Sequence, residues 1–285
     1  MKTAVHFFLV LVLLELISCQ TTPSQKIKDE NFPKGYDLNT MKKILLPRKL
    51  LEISGIAWYK GDILGIEDEN GRLYRIHPQS GEILEEMEFG KKGDYEDLLV
   101  RGDTVWILRS DGDVFWIKNP MSDSSETGQV KFKKKGTRDF ETLLSFPGKR
   151  PIMLICKSCE WDKKQQASIF QLDPLLGETE KDPTERRFST RPENLPDGKK
   201  IPKGLLARPS AGAVHPLTGE VFIISSAGKW LMILDQEFNP KQVFKLNSLL
   251  FKQPEGLTFD PEGNLYVSNE GFKEKANLLF FPYQP

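Results

Sequence analysis

Apolar positions in this chain fall in short runs of β-branched and aromatic residues, with none of the three-to-four spacing of a long amphipathic helix. Ile63 to Ile66, Val105 to Leu108, Ile152 to Ile155, Val221 to Ile224 and Leu265 to Ser268 form one set. Leu73 to Ile76, Val114 to Ile117, Ile169 to Leu172, Leu231 to Leu234 and Leu278 to Phe281 form a second. Turn formers separate the runs, as in Asn70-Gly71, Asp111-Gly112, His215-Pro216 and Asp260-Pro261-Glu262-Gly263-Asn264. Gly, Pro and Asn supply the backbone angles of tight reversals, so the pattern predicts successive β-hairpins.

A third segment precedes each pair of runs and repeats in kind: Ile53-Ser54-Gly55-Ile56, Tyr95-Glu96-Asp97-Leu98, Phe140-Glu141-Thr142-Leu143, Ser210-Ala211-Gly212-Ala213 and Pro254-Glu255-Gly256-Leu257. Four-strand units recurring at roughly forty to fifty residues are the pattern of a β-propeller, whose blades bury their faces against one another. The anchors Ser54, Glu96, Glu141, Ala211 and Glu255 are separated by 42, 45, 70 and 44 residues. The long interval is read as an insertion at about 175–204, charged and rich in Pro and Gly, which favours five blades over six. Lys42 to Leu46 forms a strand upstream of the first unit, and the last unit has three strands. Pairing the two would close the ring and remove an open edge. The expectation is an all-β chain with a single propeller domain over 35–285.

Ahead of that domain, the run Phe7 to Leu14 is too brief to span a bilayer, and Leu16-Ile17-Ser18-Cys19 follows it. This arrangement resembles a bacterial lipoprotein signal: residues 1–18 would be cleaved and Cys19 lipidated, with 19–34 as a polar tether. Gln20 after the cysteine points away from the inner membrane, so the expected location is the cell envelope, anchored at the outer membrane.

Lys and Arg total 40 and Asp and Glu 40, a balance that suggests no nucleic-acid partner. The basic run Lys131 to Lys135 is read as an exposed strand face, and nothing in the pattern asks for more than a monomer. Besides the lipidated Cys19, the mature chain would hold two cysteines, Cys156 and Cys159. Zinc needs about four ligands, which this pair lacks, so two reduced, half-buried thiols are expected, with a bridge permitted in an oxidising compartment.

In a propeller, equivalent positions of the innermost strands form a ring at one mouth of the central channel. That ring would bring together Glu96, Glu141 and Glu255, with Asp97, Asp139, Glu67, Asp68 and Asn269 as neighbours. Crowded carboxylates repel, which raises their pKa values or calls for a cation. Hard oxygen donors suit calcium, so Glu96, Glu141 and Glu255 are candidate metal ligands. The alternative is a closed ion-pair network in which Arg109 and Lys157 neutralise the glutamates.

The phrases Leu51-Glu52-Ile53-Ser54-Gly55-Ile56-Ala57-Trp58, Asp94-Tyr95-Glu96-Asp97-Leu98, Phe140-Glu141 and Gln253-Pro254-Glu255-Gly256-Leu257, with Gly263 to Glu270, resemble the SdiA-regulated, YjiK-like propellers of bacterial envelopes. The resemblance implies an envelope-associated propeller and carries no reaction with it. Two function classes follow. One is a binding or scaffold module for a small ligand or an envelope protein. The other is a calcium-dependent, lactonase-like hydrolase in which Glu141 activates water. No histidine stands in any anchor phrase, His215 is expected away from the channel, and Trp58 and Trp106 are expected to pack between blades. The binding module is therefore the first reading.

Overall fold

A computed structural model describes residues 32–148, 151–174, 178–179, 186–191, 195–196 and 198–285. Its strands form five antiparallel sheets arranged as a five-bladed propeller. Strand β1 (Lys42–Leu45) precedes a single helical turn, Arg48–Leu50. Blade 1 comprises β2 (Ile53–Tyr59), β3 (Asp62–Glu67), β4 (Arg72–Ile76) and β5 (Ile83–Glu88). Blade 2 comprises β6 (Tyr95–Arg101), β7 (Thr104–Arg109), β8 (Val114–Lys118) and β9 (Glu126–Val130). Blade 3 holds β10 (Phe140–Ser145), β11 (Ile152–Cys156) and β12 (Gln166–Asp173), whose outer edge pairs with β13 (Glu178–Thr179) and β14 (Arg187–Ser189). Blade 4 comprises β15 (Ala211–Val214), β16 (Val221–Ser225), β17 (Trp230–Leu234) and β18 (Pro240–Lys245). Blade 5 comprises β19 (Pro254–Phe259), β20 (Leu265–Asn269) and β21 (Asn277–Phe281), and β1 completes it.

The closure has a defined register, Lys42 opposite Phe280 and Leu45 opposite Asn277. It satisfies the outer edge of β21, which would otherwise present unpaired backbone groups. The innermost strands touch in cyclic order, β2 to β6 to β10 to β15 to β19 and back to β2, so the ring is complete.

Five apolar clusters fill the five seams between blades. The second strand of each blade explains why. Val105 and Ile107 pack toward blade 1, whereas Trp106 and Leu108 pack toward blade 3. Successive side chains of a strand point to opposite faces, and here both faces are covered. The runs therefore read as continuously apolar in the sequence rather than alternating. Each fully buried aliphatic side chain in such a seam contributes about 1.5–3 kcal/mol of transfer free energy.

The tryptophans belong to this packing. Trp58 stacks on Tyr266 across the seam of blades 1 and 5, with ring centroids 5.6 Å apart. Trp161 packs at 5.3 Å against Phe170, and Trp230 at 5.6 Å against Phe188 of β14. Within the 175–204 interval, Phe188, Leu195 and Ile201 are buried in the seam of blades 3 and 4, so part of this stretch is built into the core. The basic run Lys131 to Lys135 follows β9 without strand structure, because Phe132 turns inward and its backbone N–H donates to Asp113. The signal, Cys19 and most of the tether lie outside the described residues.

Candidate functional site

The three anchor glutamates owe their position to a shared local irregularity. In blade 2, Tyr95 is opposite Arg109 and Asp97 is opposite Leu108, so Glu96 is an extra residue in the ladder. The same displacement puts Glu141 between Phe140 and Thr142, and Glu255 between Pro254 and Gly256. Each is a β-bulge, which bends the strand and re-aims one side chain. Blade 4 carries Ala211 at the equivalent place, and its register runs without a bulge. The residue after the bulge, Asp97, Thr142 or Gly256, returns to the ladder. In blade 1 the irregularity takes in both Ser54 and Gly55, and the inner strands approach closely there. At Gly55 a Cβ atom would lie 2.6 Å from the Cα of Asp97, too close for any other residue without movement of the backbone.

Glu96, Glu141 and Glu255 line one cavity of about 300 Å³ at the hub, together with Asp94, Asp139, Glu270, Glu52 and Asp68. Among the described residues, eight carboxylates from four blades thus face one lining lysine, Lys157, whose ammonium bonds to Glu141. Glu96, Asp139 and Glu141 each place a carboxylate oxygen within 4.8 Å of the others, which makes these three the convergent donors. Glu255 lines the same funnel outside that triple. Gln253, in the wall, donates to Glu270.

Burial governs the protonation of this cluster. It raises the Glu96 pKa, and the Glu141 and Asp94 carboxylates raise it further. Glu141 is raised by burial despite the opposing Lys157 charge, and burial also raises Glu255 and Asp139. Burial with the nearby Glu52 pushes Asp68 up to about 6, and burial with Glu255 and Asp68 pushes Glu270 up to about 7. Burial alone would lower Lys157, but Glu141, Glu255 and Asp139 outweigh it and hold the ammonium charged.

Several expected members lie elsewhere. Asp97 is buried at the seam of blades 2 and 3, where its carboxylate accepts the backbone N–H groups of Leu98 and Leu143, each at 2.8 Å. It is the residue after the bulge and therefore points sideways. Asn269 is fully buried and donates to Leu250 O at 3.2 Å and to Asn277 Oδ1 at 3.1 Å, bracing β20 to β21. Glu67 folds back on its own turn, accepting from the N–H groups of Glu69 and Asn70. Arg109 does not neutralise the glutamates. Its guanidinium grips Asp111 at 2.7 Å and Asp113 at 2.9 Å in the turn between β7 and β8. The expected ion-pair network is thus reduced to Lys157.

Glu52, Asp94 and Glu270 were not singled out by the sequence reading, although each lies one or two residues from an anchor or from the end of a second strand. The cysteine expectation is corrected as well. Cys156 and Cys159 form a disulfide, and Cys156 is wholly buried. The closed loop is so short that chain entropy assigns it only about 2 kcal/mol of stabilisation.

The opposite mouth of the channel differs in chemistry. It is a cavity of about 360 Å³ lined mainly by apolar residues at the far ends of the inner strands, such as Trp58, Leu99, Leu144, Val214 and Phe259. His215 lies near that end and not in the funnel. Its ring packs 4.9 Å from both Phe259 and Tyr283, and its Nδ1 accepts the N–H groups of Leu217 and Thr218 at 3.2 Å.

The chain is similar in structure to the glutaminyl cyclase of Myxococcus xanthus, with a TM-score of 0.58 and 11% identity over 86% of this chain and 96% of that one. Virginiamycin B lyase from Staphylococcus aureus matches with a TM-score of 0.49 and 10% identity, covering 86% of this chain and 89% of that chain. Regucalcin, a calcium-binding protein from Agrobacterium tumefaciens, matches at 0.47 and 11% identity over 85% and 93% of the two chains. At such identities these likenesses concern the fold alone. No curated protein matches the chain in sequence. The family model for SdiA-regulated proteins matches residues 179–273, which span the end of blade 3, blade 4 and the inner half of blade 5. This chain is thus a five-bladed β-propeller with an SdiA-regulated family match over that segment.

Proposed function

We propose that the chain is a binding propeller whose hub funnel takes up a cationic ligand, with a divalent metal such as calcium as the species its donors suit. The observation that carries this reading is the charge imbalance, eight carboxylates around one cavity with Lys157 as the one cation that lines it among the described residues. Enclosed carboxylates must either hold protons or gather positive charge, and a divalent ion supplies more charge than one ammonium. Glu96, Asp139 and Glu141 would hold the ion, with hard oxygen donors that fit calcium rather than a thiophilic metal. Calcium titration followed by thermal unfolding tests the reading. A rise in melting temperature that is lost when Glu96, Glu141 and Glu255 are all changed to Gln supports it, and no rise with any divalent cation refutes it.

A hydrolase remains the second reading, favoured by the raised pKa of Glu141 and its neighbours in an enclosed site. An ion there would polarise a carbonyl, and Glu141, once freed from Lys157, would take the proton of an attacking water. Lactone turnover that requires the metal and is lost in Glu141→Gln would favour it over simple binding.

The lipid anchor belongs to the same proposal. Among the described residues no helix is long and apolar enough to cross a membrane. Attachment to the envelope would come through acyl chains on Cys19, with the outer membrane as the site. Mass spectrometry of the mature chain tests this, since a diacylglyceryl or further acyl mass on Cys19 is required.

A further inference from the structure

The disulfide and the funnel's cation occupy the same few residues. Cys156 ends β11, Lys157 and Ser158 follow, and Cys159 closes the bridge, so Lys157 is held inside the covalent loop. Its ammonium reaches Glu141, while the N–H groups of Lys157 and Ser158 donate to the carbonyl of Asp139 at 2.8 and 3.2 Å. Asp139 and Glu141 are two of the three convergent carboxylates. The far side of the loop is fixed too, since the Cys159 N–H donates to Asp162 Oδ2 at 2.7 Å and Asp162 Oδ1 accepts from the Ser168 N–H at 2.7 Å. The disulfide thus closes the loop that carries both the resident cation and the N–H groups bonded to the backbone of a cation-binding carboxylate.

We propose that the Cys156–Cys159 disulfide is a redox latch on the funnel. Oxidised, it holds the Lys157 ammonium against Glu141, where it competes with an entering cation. Reduced, it releases the loop, the ammonium leaves, and Glu141 becomes available. The step is a two-electron thiol–disulfide exchange with an external dithiol. One thiolate of the dithiol attacks Sγ of Cys159, which keeps 9% of its surface exposed, while Cys156 is closed to approach. The S–S bond breaks and Cys156 departs as a thiolate that takes up a proton. The second thiol of the reductant then resolves the mixed disulfide, leaving both cysteines reduced and the dithiol oxidised. The effect on cation affinity rests on the carboxylate funnel being a cation site, whereas the movement of Lys157 does not.

The test therefore uses two readouts on the full chain, oxidised and after treatment with dithiothreitol. The first is the NMR signal of the Lys157 ammonium, which a carboxylate contact shields from exchange. The second is the calcium Kd. Reduction is expected to remove the shielded ammonium signal and to tighten calcium binding by about tenfold, the size of effect expected for removing one competing unit charge from a partly buried site. Lys157→Met should bind calcium at the tighter level in both redox states. Cys156→Ser with Cys159→Ser should behave as reduced protein, and if it does not fold, the reduced native chain still decides the matter. An ammonium signal unchanged by reduction overturns the latch, as does redox-dependent calcium binding that persists in Lys157→Met. A signal lost on reduction with no calcium binding in either state supports the latch and defeats the calcium reading alone.

Discussion

The carboxylate of Asp97 in blade 2 accepts the backbone N–H of Leu143 in blade 3 at 2.8 Å, so an acidic residue that stands beside the hub in sequence is a strut between blades. Comparable bonds recur around the ring. Ser54 Oγ donates to Tyr95 O at 2.8 Å, Ser210 Oγ to Pro254 O at 2.7 Å, and Ser268 Oγ to Ser54 O at 3.1 Å. Each ties one blade to the next beside the channel.

Replacing Asp97 by Ala leaves the Leu143 N–H buried without its acceptor. The expected loss is about 2–4 kcal/mol, since two buried backbone donors lose a partner. Urea unfolding measures it. Cation binding in the folded variant is expected to stay unchanged, because Asp97 does not line the funnel.

The closing strand gives a second expectation. Ile44 of β1 is 9% exposed and packs in the seam of blades 5 and 1. Ile44→Ala should cost about 2–4 kcal/mol through lost burial and a residual cavity. Deleting residues 42–45 outright should raise self-association, because β21 then becomes an exposed edge, which light scattering would detect.

Protonation of the funnel sets a pH dependence. Asp68 titrates at about 6 and Glu270 at about 7 in the folded chain. Both lie above the ordinary carboxylate value of about 4, so the folded state holds protons that the unfolded chain has released. Their contribution to stability is fully present below about pH 4 and is lost as the pH rises through about 7. Melting temperature without added metal should fall over that window, and Asp68→Asn with Glu270→Gln should flatten the fall. A flat native profile would contradict the electrostatic account of the funnel.

Calcium should oppose that decline. At a free concentration one hundred times its Kd, a ligand of the folded state adds about 2.7 kcal/mol. The added stability should be larger at pH 8 than at pH 5, because the ion competes with protons for the same oxygens. Calorimetry at the two pH values checks the sign.

The amino-acid order alone determined the repeat, the number of blades and the closing strand. Those features rest on local turn chemistry and on runs of apolar residues buried on both faces, and both are properties of contiguous segments. Glu96, Glu141 and Glu255 were legible as a set for the same reason, each holding one place in a repeated phrase. Tertiary structure decided which neighbours joined them. A one-residue bulge sends Glu141 into the funnel and returns Asp97, the residue after Glu96, to the wall between blades, and no spacing in the sequence distinguishes those outcomes. Arg109 found Asp111 and Asp113 nearer than the hub, and Cys156 met Cys159 because the turn after β11 brings their Cα atoms to 5.8 Å. Direction and distance are set by the twist and register of packed sheets, which come into being only once the ring has closed.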